Sequence, residues 1–238
     1  MKKTLLSLYI LALSMTTLSA QSVDEIVAKN LHAMGGAEKL HEVRSVITEN
    51  AIELQGLEIE NLTTVLVGKA MRSDSKIMGN DLVQAFDGTT PWAITPVMMG
   101  GNGEPQVMTQ EMSKSVINQV DPFPLLDYVK KDTRLELLTA EKVKGKDAYH
   151  LKIYPKDGAE SEIWIDVASG LMSKLKTIQN GQEVEIVFSN YKETEGINFS
   201  MNMEISNPVG GIITVDTKTV KLNTAIDEVI FKMPTTKN

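Results

Sequence analysis

An alternation of apolar and polar side chains with a period of two residues constrains the fold of this chain more than any other feature. The segment FSMNMEI at 199–205 places Phe, Met, Met and Ile on one face and Ser, Asn and Glu on the other. This is the period of a β-strand with one buried face. The turn signals DG at 157–158, SG at 169–170, NG at 180–181 and EG at 195–196 separate segments of roughly ten residues. The pattern predicts successive antiparallel hairpins.

The first half of the chain is predicted to hold a helix followed by more strands. Ser22 is a helix cap, Glu25 completes a capping box, and Gly35-Gly36 ends the apolar periodicity. A second short helical turn is predicted at 37–43. After it, the two-residue alternation predicts strands at about 44–55, 58–67, 69–78, 81–87 and 90–94.

One segment, 96–132, interrupts the strands. It opens with a glycine-rich loop, and a helix is predicted from about Gln106 to Val120. Pro122 and Pro124 follow, and then a second short helix. An insert of this kind between two sets of strands predicts a lid over one face of a curved sheet. No change of composition marks a boundary, so we expect a single domain over residues 21–238.

Residues 1–20 are typical of a secretory signal peptide, with a basic start, an apolar run from Thr4 to Leu13 and a small residue before Gln21. No later apolar run approaches the ~18 residues of a membrane-spanning helix. We therefore expect a soluble protein of the periplasm. The formal net charge of −7, which becomes about −9 without Lys2 and Lys3, makes nucleic acid an unfavourable partner.

The sequence lacks the patterns of common catalytic sites. It contains no cysteine, which excludes disulfides, thiolate chemistry and a lipid-anchoring cysteine. His32, His41 and His150 have no metal-ligand spacing, and no G-x-S-x-G elbow is present. The GGNG cluster at 100–103 lacks the Lys-Ser/Thr of a phosphate-binding loop. We expect no enzymatic activity, no metal and no cofactor.

The sequence instead predicts a site that is lined by apolar, flexible side chains. Methionine adapts to varied apolar partners, although it also fills gaps in ordinary cores. Both interpretations are open for the methionines and aromatics near the insert. The residues predicted to line an apolar cavity and its lid are Phe86, Trp92, Met98, Met99, Met108, Met112, Phe123, Leu126, Met201 and Met203.

The stretch EIWIDVASGL at 162–171 raises the question of a second aromatic site. If it is a strand, Ile163 and Ile165 face inward. Trp164 then lies outside with Glu162 and Asp166, or beneath a terminal segment. Its alternation therefore makes Trp92 the better candidate for the cavity.

Five stretches together resemble the LolA/LolB-like periplasmic lipoprotein carriers. In the later ones, Gly196, Phe199, Phe231 and Pro234 match positions typical of that family. The stretches are MGGAEKLHEVRSV (34–46), FDGTTPW (86–92), IWIDVASGLMSKL (163–175), FSNYKETEGINF (188–199) and NTAIDEVIFKMP (223–234).

The resemblance implies a mainly β (α+β) fold, a curved and incompletely closed antiparallel β-barrel with helices filling its open side. It also implies a monomer that carries acylated lipoproteins or lipids between an inner-membrane release complex and an outer-membrane acceptor. An arginine matters in the classical carriers, but neither Arg44 nor Arg72 lies in a motif that aligns with it. The alternatives are a lipid-sensing envelope-stress adaptor on the same scaffold and an exported hydrolase.

Overall fold

A computed structural model of the chain describes residues 21–156, 159–179, 181–207 and 211–235. The predicted signal peptide, residues 1–20, lies outside the described residues. The helices are α1 (Val23–Met34), α2 (Ala37–Glu42) and α3 (Gln110–Asn118). The strands are β1 (Ser45–Leu54), β2 (Leu57–Leu66), β3 (Ala70–Ile77), β4 (Asn80–Phe86), β5 (Pro91–Ile94), β6 (Pro105–Val107), β7 (Arg134–Leu137), β8 (Glu141–Val143), β9 (Lys146–Tyr154), β10 (Ser161–Asp166), β11 (Met172–Gln179), β12 (Gln182–Thr194), β13 (Ile197–Asn207) and β14 (Gly211–Leu222).

All fourteen strands form one antiparallel sheet. Their order is β6-β5-β4-β3-β2-β1-β14-β13-β12-β11-β10-β9-β7, and β8 also pairs with β9. Apart from β7 and β8, which both pair with β9, sequential strands are neighbours in two long meanders, β1–β6 and β7–β14. The pairing of β1 with β14 joins the two meanders. In the described residues the two ends of the sheet, β6 and β7, do not pair with each other. The predicted curved, open antiparallel sheet is confirmed.

The helices pack against one face of this sheet, which we call the inner face. Ile26 and Val27 of α1 pack with Leu151, Ile163 and Ile165 of the second meander. These contacts confirm that the two isoleucines of EIWID face inward. Each is fully removed from solvent, and burying such a side chain contributes roughly 1.5–3 kcal/mol.

Helix α3 bridges the open side of the sheet. It contacts β4 and β5 of the first meander and β11 of the second. Val116 is buried on its sheet-facing side. At its C-terminal end, the Asn118 side chain donates to the Ala159 carbonyl at 3.1 Å and accepts from the Ala159 N–H at 3.3 Å. The insert therefore closes the barrel where strand pairing does not.

The predicted start of α1 is confirmed. The Ser22 hydroxyl accepts from the Glu25 N–H at 3.2 Å, and the Glu25 carboxylate accepts from the Ser22 N–H at 2.9 Å. The C-cap is Gly35, at φ 127°. Here the chain turns sharply into α2.

Two boundaries in the insert differ from prediction. Helix α3 begins at Gln110 rather than about Gln106, because residues 105–107 pair with β5 and Thr109 caps the helix. The second short helix predicted after Pro124 is wrong, since the chain forms consecutive turns there. Asp127 has a φ of 52°, and a left-handed residue interrupts a right-handed helix.

The corner at Gly35 and Gly36 provides a matched stability test. A Cβ on Gly35 would collide with the Gly196 carbonyl, whereas a Cβ on Gly36 would meet nothing within 4 Å. Both glycines have positive φ, so alanine strains either backbone by about 1–3 kcal/mol. We expect Gly35→Ala to lower the free energy of unfolding by roughly 2 kcal/mol more than Gly36→Ala, measured by urea denaturation. Equal losses would contradict the close contact between this corner and the β12–β13 turn.

Candidate functional site on the inner face

The inner face carries almost no charge. Pairing register assigns alternate residues of β1–β4 and β12–β14 to this face, starting from the buried core residues Val46, Val65 and Met71. Among these inner positions the one charged residue is Lys192, which is exposed. The outer positions of the same strands carry acidic and basic side chains along their length. The interior of the described sheet is therefore suited to apolar material.

One half of this surface is covered by helices and loops of the chain. Here Leu40 of α2, Val116 of α3 and Phe123 pack against inner residues of the strands. The Phe123 and Phe199 rings lie 6.3 Å apart, centroid to centroid. We call this half the covered zone.

The other half of the inner face lies further along the strands, beyond the covered zone, and we call it the open zone. Ile59, Ile77, Val184 and Val215 are buried there, although none belongs to the clusters that contain the helices. Other inner side chains of the open zone are only half-buried and retain surface that a ligand can contact. These are Ile52, Leu82, Ile186, Phe188, Met201, Met203, Ile205 and Ile213.

Seven of the ten predicted site residues lie along the inner face or on the helix that closes it. Phe86, Met108, Phe123 and Leu126 meet in the covered zone. On strand β13, register assigns Met201 and Met203 to the open zone. The remaining residue, Met112, lies on α3 and is 38% exposed.

Trp92 lies on the outer face of the sheet instead. Because Pro91 pairs with Phe86, which faces inward, alternation turns the next side chain outward. The Trp92 ring is fully buried, and its indole N–H donates to the Phe231 carbonyl at 2.7 Å. The Arg72 guanidinium lies 5.5 Å from the ring centroid and pairs with Asp74 at 2.7 Å. Trp92 and Arg72 therefore fix the C-terminal segment and do not line the inner face.

Met98 and Met99 also lie apart from the inner face. They belong to a single 3-10 turn, Val97–Met99, at the edge of the first meander. The two side chains are 56% and 51% exposed. Their position within the predicted lid segment, 96–132, does not bring them into the barrel.

Trp164 lies on the outer face of the second meander. Its ring stacks on His150 at 4.0 Å between centroids, and Lys174 lies 3.7 Å above it. The indole N–H donates to Glu141 at 3.0 Å. Trp164 packs with Val143 of β8 and is only 2% exposed. The ring is thus covered by the β8 hairpin rather than by a terminal segment.

A row of polar side chains crosses the inner face, and sequence reasoning missed it. Asn50 donates to the Asn61 side chain at 2.9 Å and accepts from the Thr217 hydroxyl at 2.9 Å. Both asparagines and Thr217 are buried. The sequence did contain a signal for this row, because each member is a polar residue at a strand position where the alternation would place an apolar one. The members of this polar row are Thr48, Asn50, Asn61, Thr63, Ser73, Ser75 and Thr217.

The described residues also form two surface hollows. One, of about 380 Å³, adjoins the β8–β9 hairpin and includes Phe188 and Tyr191. Burial raises the pKa of this tyrosine, whose hydroxyl donates to the Met172 carbonyl at 2.8 Å. The other, of about 520 Å³, adjoins His41 and Arg44. Neither hollow includes a predicted site residue.

Two further observations concern the described residues alone. They contain no group of three or more His, Asp or Glu side chains placed to hold a metal ion. They also contain no helix with the length and apolar character required to cross a membrane.

The architecture defined by this open barrel and its helical closure is the LolA-like fold. No family model and no curated protein matches the sequence. Solved structures do match. An outer membrane lipoprotein-sorting protein domain from Vibrio parahaemolyticus, described as putative, superposes with a TM-score of 0.56 at 16% identity, over 87% of this chain and 94% of that one.

Two other structures support the same fold. A LolA superfamily protein from Nitrosomonas europaea gives a TM-score of 0.56 at 12% identity, over 85% of this chain and 97% of that one. A DUF1329 family protein from Desulfovibrio piger gives 0.51 at 13% identity, over 88% and 97% of the two chains. At these identities the likeness establishes the fold.

The outward position of Trp92 leads to a prediction about stability. Trp92→Phe leaves the Phe231 carbonyl without its buried donor, and we expect a loss of about 1–3 kcal/mol in the free energy of unfolding. Trp164→Phe is the matched control. It should cost less, because its acceptor Glu141 is about half exposed, with 51% of the side chain accessible, and can be solvated. Urea denaturation of both variants measures the difference. A larger loss for Trp164→Phe would contradict this account.

Proposed function

We propose that this protein is a periplasmic carrier that holds the acyl chains of lipoproteins or other lipids against its inner face for transfer towards the outer membrane. The observation that supports the proposal most directly is the open zone, an apolar inner surface that retains accessible area. A soluble protein rarely leaves a large contiguous apolar surface without a partner. The likeness to a lipoprotein-sorting domain is consistent with that use.

The energetics suit a carrier. Burial of each methylene contributes ~0.8 kcal/mol, so a chain of roughly fourteen to eighteen carbons gains about 11–14 kcal/mol before the cost of ordering. Among the described inner positions of β1–β4 and β12–β14 the one cation is Lys192, which pairs with Phe199 of the covered zone. Apolar contact is therefore the main source of affinity in the open zone. Such contact is non-directional, which suits cargo that must be released.

Helix α3 is the element we propose to move. It joins the two meanders across the open side through few contacts, and the Asn118 hydrogen bonds to Ala159 are part of them. The exposed Met112 lies one turn before Val116, which is buried against the sheet. Displacement of α3 would widen the opening between β4 and β11. The inner-membrane release complex and the outer-membrane acceptor are the partners that a carrier of this kind needs.

The proposal predicts that arginine substitutions at two adjacent residues of β13 have different effects. Met203→Arg places a charge on the inner face, where an unpaired buried charge costs several kcal/mol. We expect it to weaken binding of a fluorescent acyl probe by roughly tenfold or more. Asn202→Arg is the matched control on the outer face, where it lies beside Asp216 and should leave affinity unchanged.

Circular dichroism first verifies the folds of both variants. Titration with the fluorescent probe then measures their affinities. Mass spectrometry of material that copurifies with the wild-type protein from its native envelope identifies the cargo. A wild-type protein that is free of lipid and does not bind the probe would rule out the carrier function.

A further inference from the structure

The polar row is unusual because it lies across an otherwise apolar inner face. It runs from β14 through β1 and β2 to β3, and neighbouring strands lie about 4.8 Å apart. On both sides of it, along the strands, inner positions are apolar, such as Val46 and Ile52 in β1. A polar group in an apolar surface is costly unless it is hydrogen-bonded. The row therefore needs an explanation beyond core packing.

Some hydroxyl donors of the polar row are not used in its own hydrogen bonds. The hydroxyl oxygens of Thr48, Ser73 and Ser75 accept from asparagine side chains at 3.1, 2.8 and 3.0 Å. Within the described residues these three hydroxyls act as acceptors only, and Ser73 also accepts from the Thr63 hydroxyl at 3.4 Å. All three residues are only half-buried. A hydroxyl carries one donor and can use it while its oxygen accepts. Three O–H groups are thus available to a ligand.

The row is also uncharged, which restricts what it can bind. The charged neighbours in β3, Arg72 and Asp74, pair with each other on the outer face. A carboxylate or phosphate brought to the row would lose hydration without gaining a cation. A neutral acceptor, such as a carbonyl oxygen, would gain hydrogen bonds at little cost of desolvation.

We propose that the polar row is a subsite for the carbonyl oxygen of an acyl ester, with the acyl chain lying in the open zone beside Met201 and Met203. This rests on the proposed carrier function and adds a chemical specificity to it. Ser73 and Ser75 donate to the ester carbonyl, while Asn61 orients both hydroxyls. The preferred cargo is an esterified chain rather than a free fatty acid or a plain hydrocarbon chain. An acylated lipoprotein and a glycerolipid share this ester chemistry.

A pair of ligands that differ in one carbonyl tests the subsite. Monopalmitoylglycerol and the hexadecyl ether of glycerol have the same headgroup and nearly the same chain, and each can displace a fluorescent apolar probe from the purified protein. We expect the ester to bind about tenfold more tightly, which corresponds to roughly 1.4 kcal/mol. Palmitate at neutral pH should bind more weakly than the ester.

The variant Ser73→Ala/Ser75→Ala should bring the ratio of ester to ether affinity close to one and leave ether affinity unchanged. Ser189→Ala, which removes an exposed hydroxyl on the outer face, is the control and should preserve the ratio. If the double variant does not fold, each single substitution is measured instead. A diacylated lipopeptide in a parallel titration distinguishes the sources of the ester. If the double variant loses affinity for monopalmitoylglycerol, for the lipopeptide or for both of these esters while ether affinity is unchanged, the subsite is supported and the ester that lost affinity identifies the source.

Two results would overturn the proposal, and they differ in what else they imply. If wild-type protein binds ester and ether equally, or if the double variant keeps the preference, the polar row is not a carbonyl subsite and the carrier function stands. If the protein binds neither ligand, the carrier function fails and the subsite fails with it.

Discussion

The pairing of β1 with β14 is the contact on which the rest of the structure depends. Residues 46–54 and 213–222 are far apart in the chain, and their pairing turns two separate meanders into one sheet. Closing so long a loop costs entropy before any contact compensates it. The Thr217 hydroxyl donates to the Asn50 side chain across this pairing at 2.9 Å. Because a slip of one residue would turn every side chain to the other face, this buried hydrogen bond helps to fix the register.

Once the sheet is continuous, its curvature creates an inner face that needs cover. Helices α1 and α2 cover part of it, and α3 bridges the side where the edge strands do not pair. In the part of the chain that the structure describes, no helix packs against the buried residues of the open zone. Ile59, Ile77, Val184 and Val215 are nevertheless buried there. The structure thus combines a conventional core with an accessible apolar surface on the same face.

Sequence patterns predicted the strands well because alternation is a local property. They placed Ile163 and Ile165 inside and Trp164 outside, and the capping box at Ser22 located the first helix. Predictions that relied on nearness in sequence did less well. Trp92 closely precedes the insert, and Met98 and Met99 lie at its start, yet Trp92 faces outward and the two methionines lie in an exposed turn. In an extended chain, one residue of offset is enough to change the face.

The sequence by itself determined which segments are strands, which of their side chains share a face, and where the first helix begins, because these follow from backbone geometry and side chains a few residues apart. Tertiary structure alone decided which strands meet across the β1–β14 pairing and where the insert crosses the open side. It also brought polar residues from β14, β1, β2 and β3 into one row. The physical reason is that each of these polar residues lies on a different strand. Their common position depends on long-range pairing, which leaves no periodic signal along the chain.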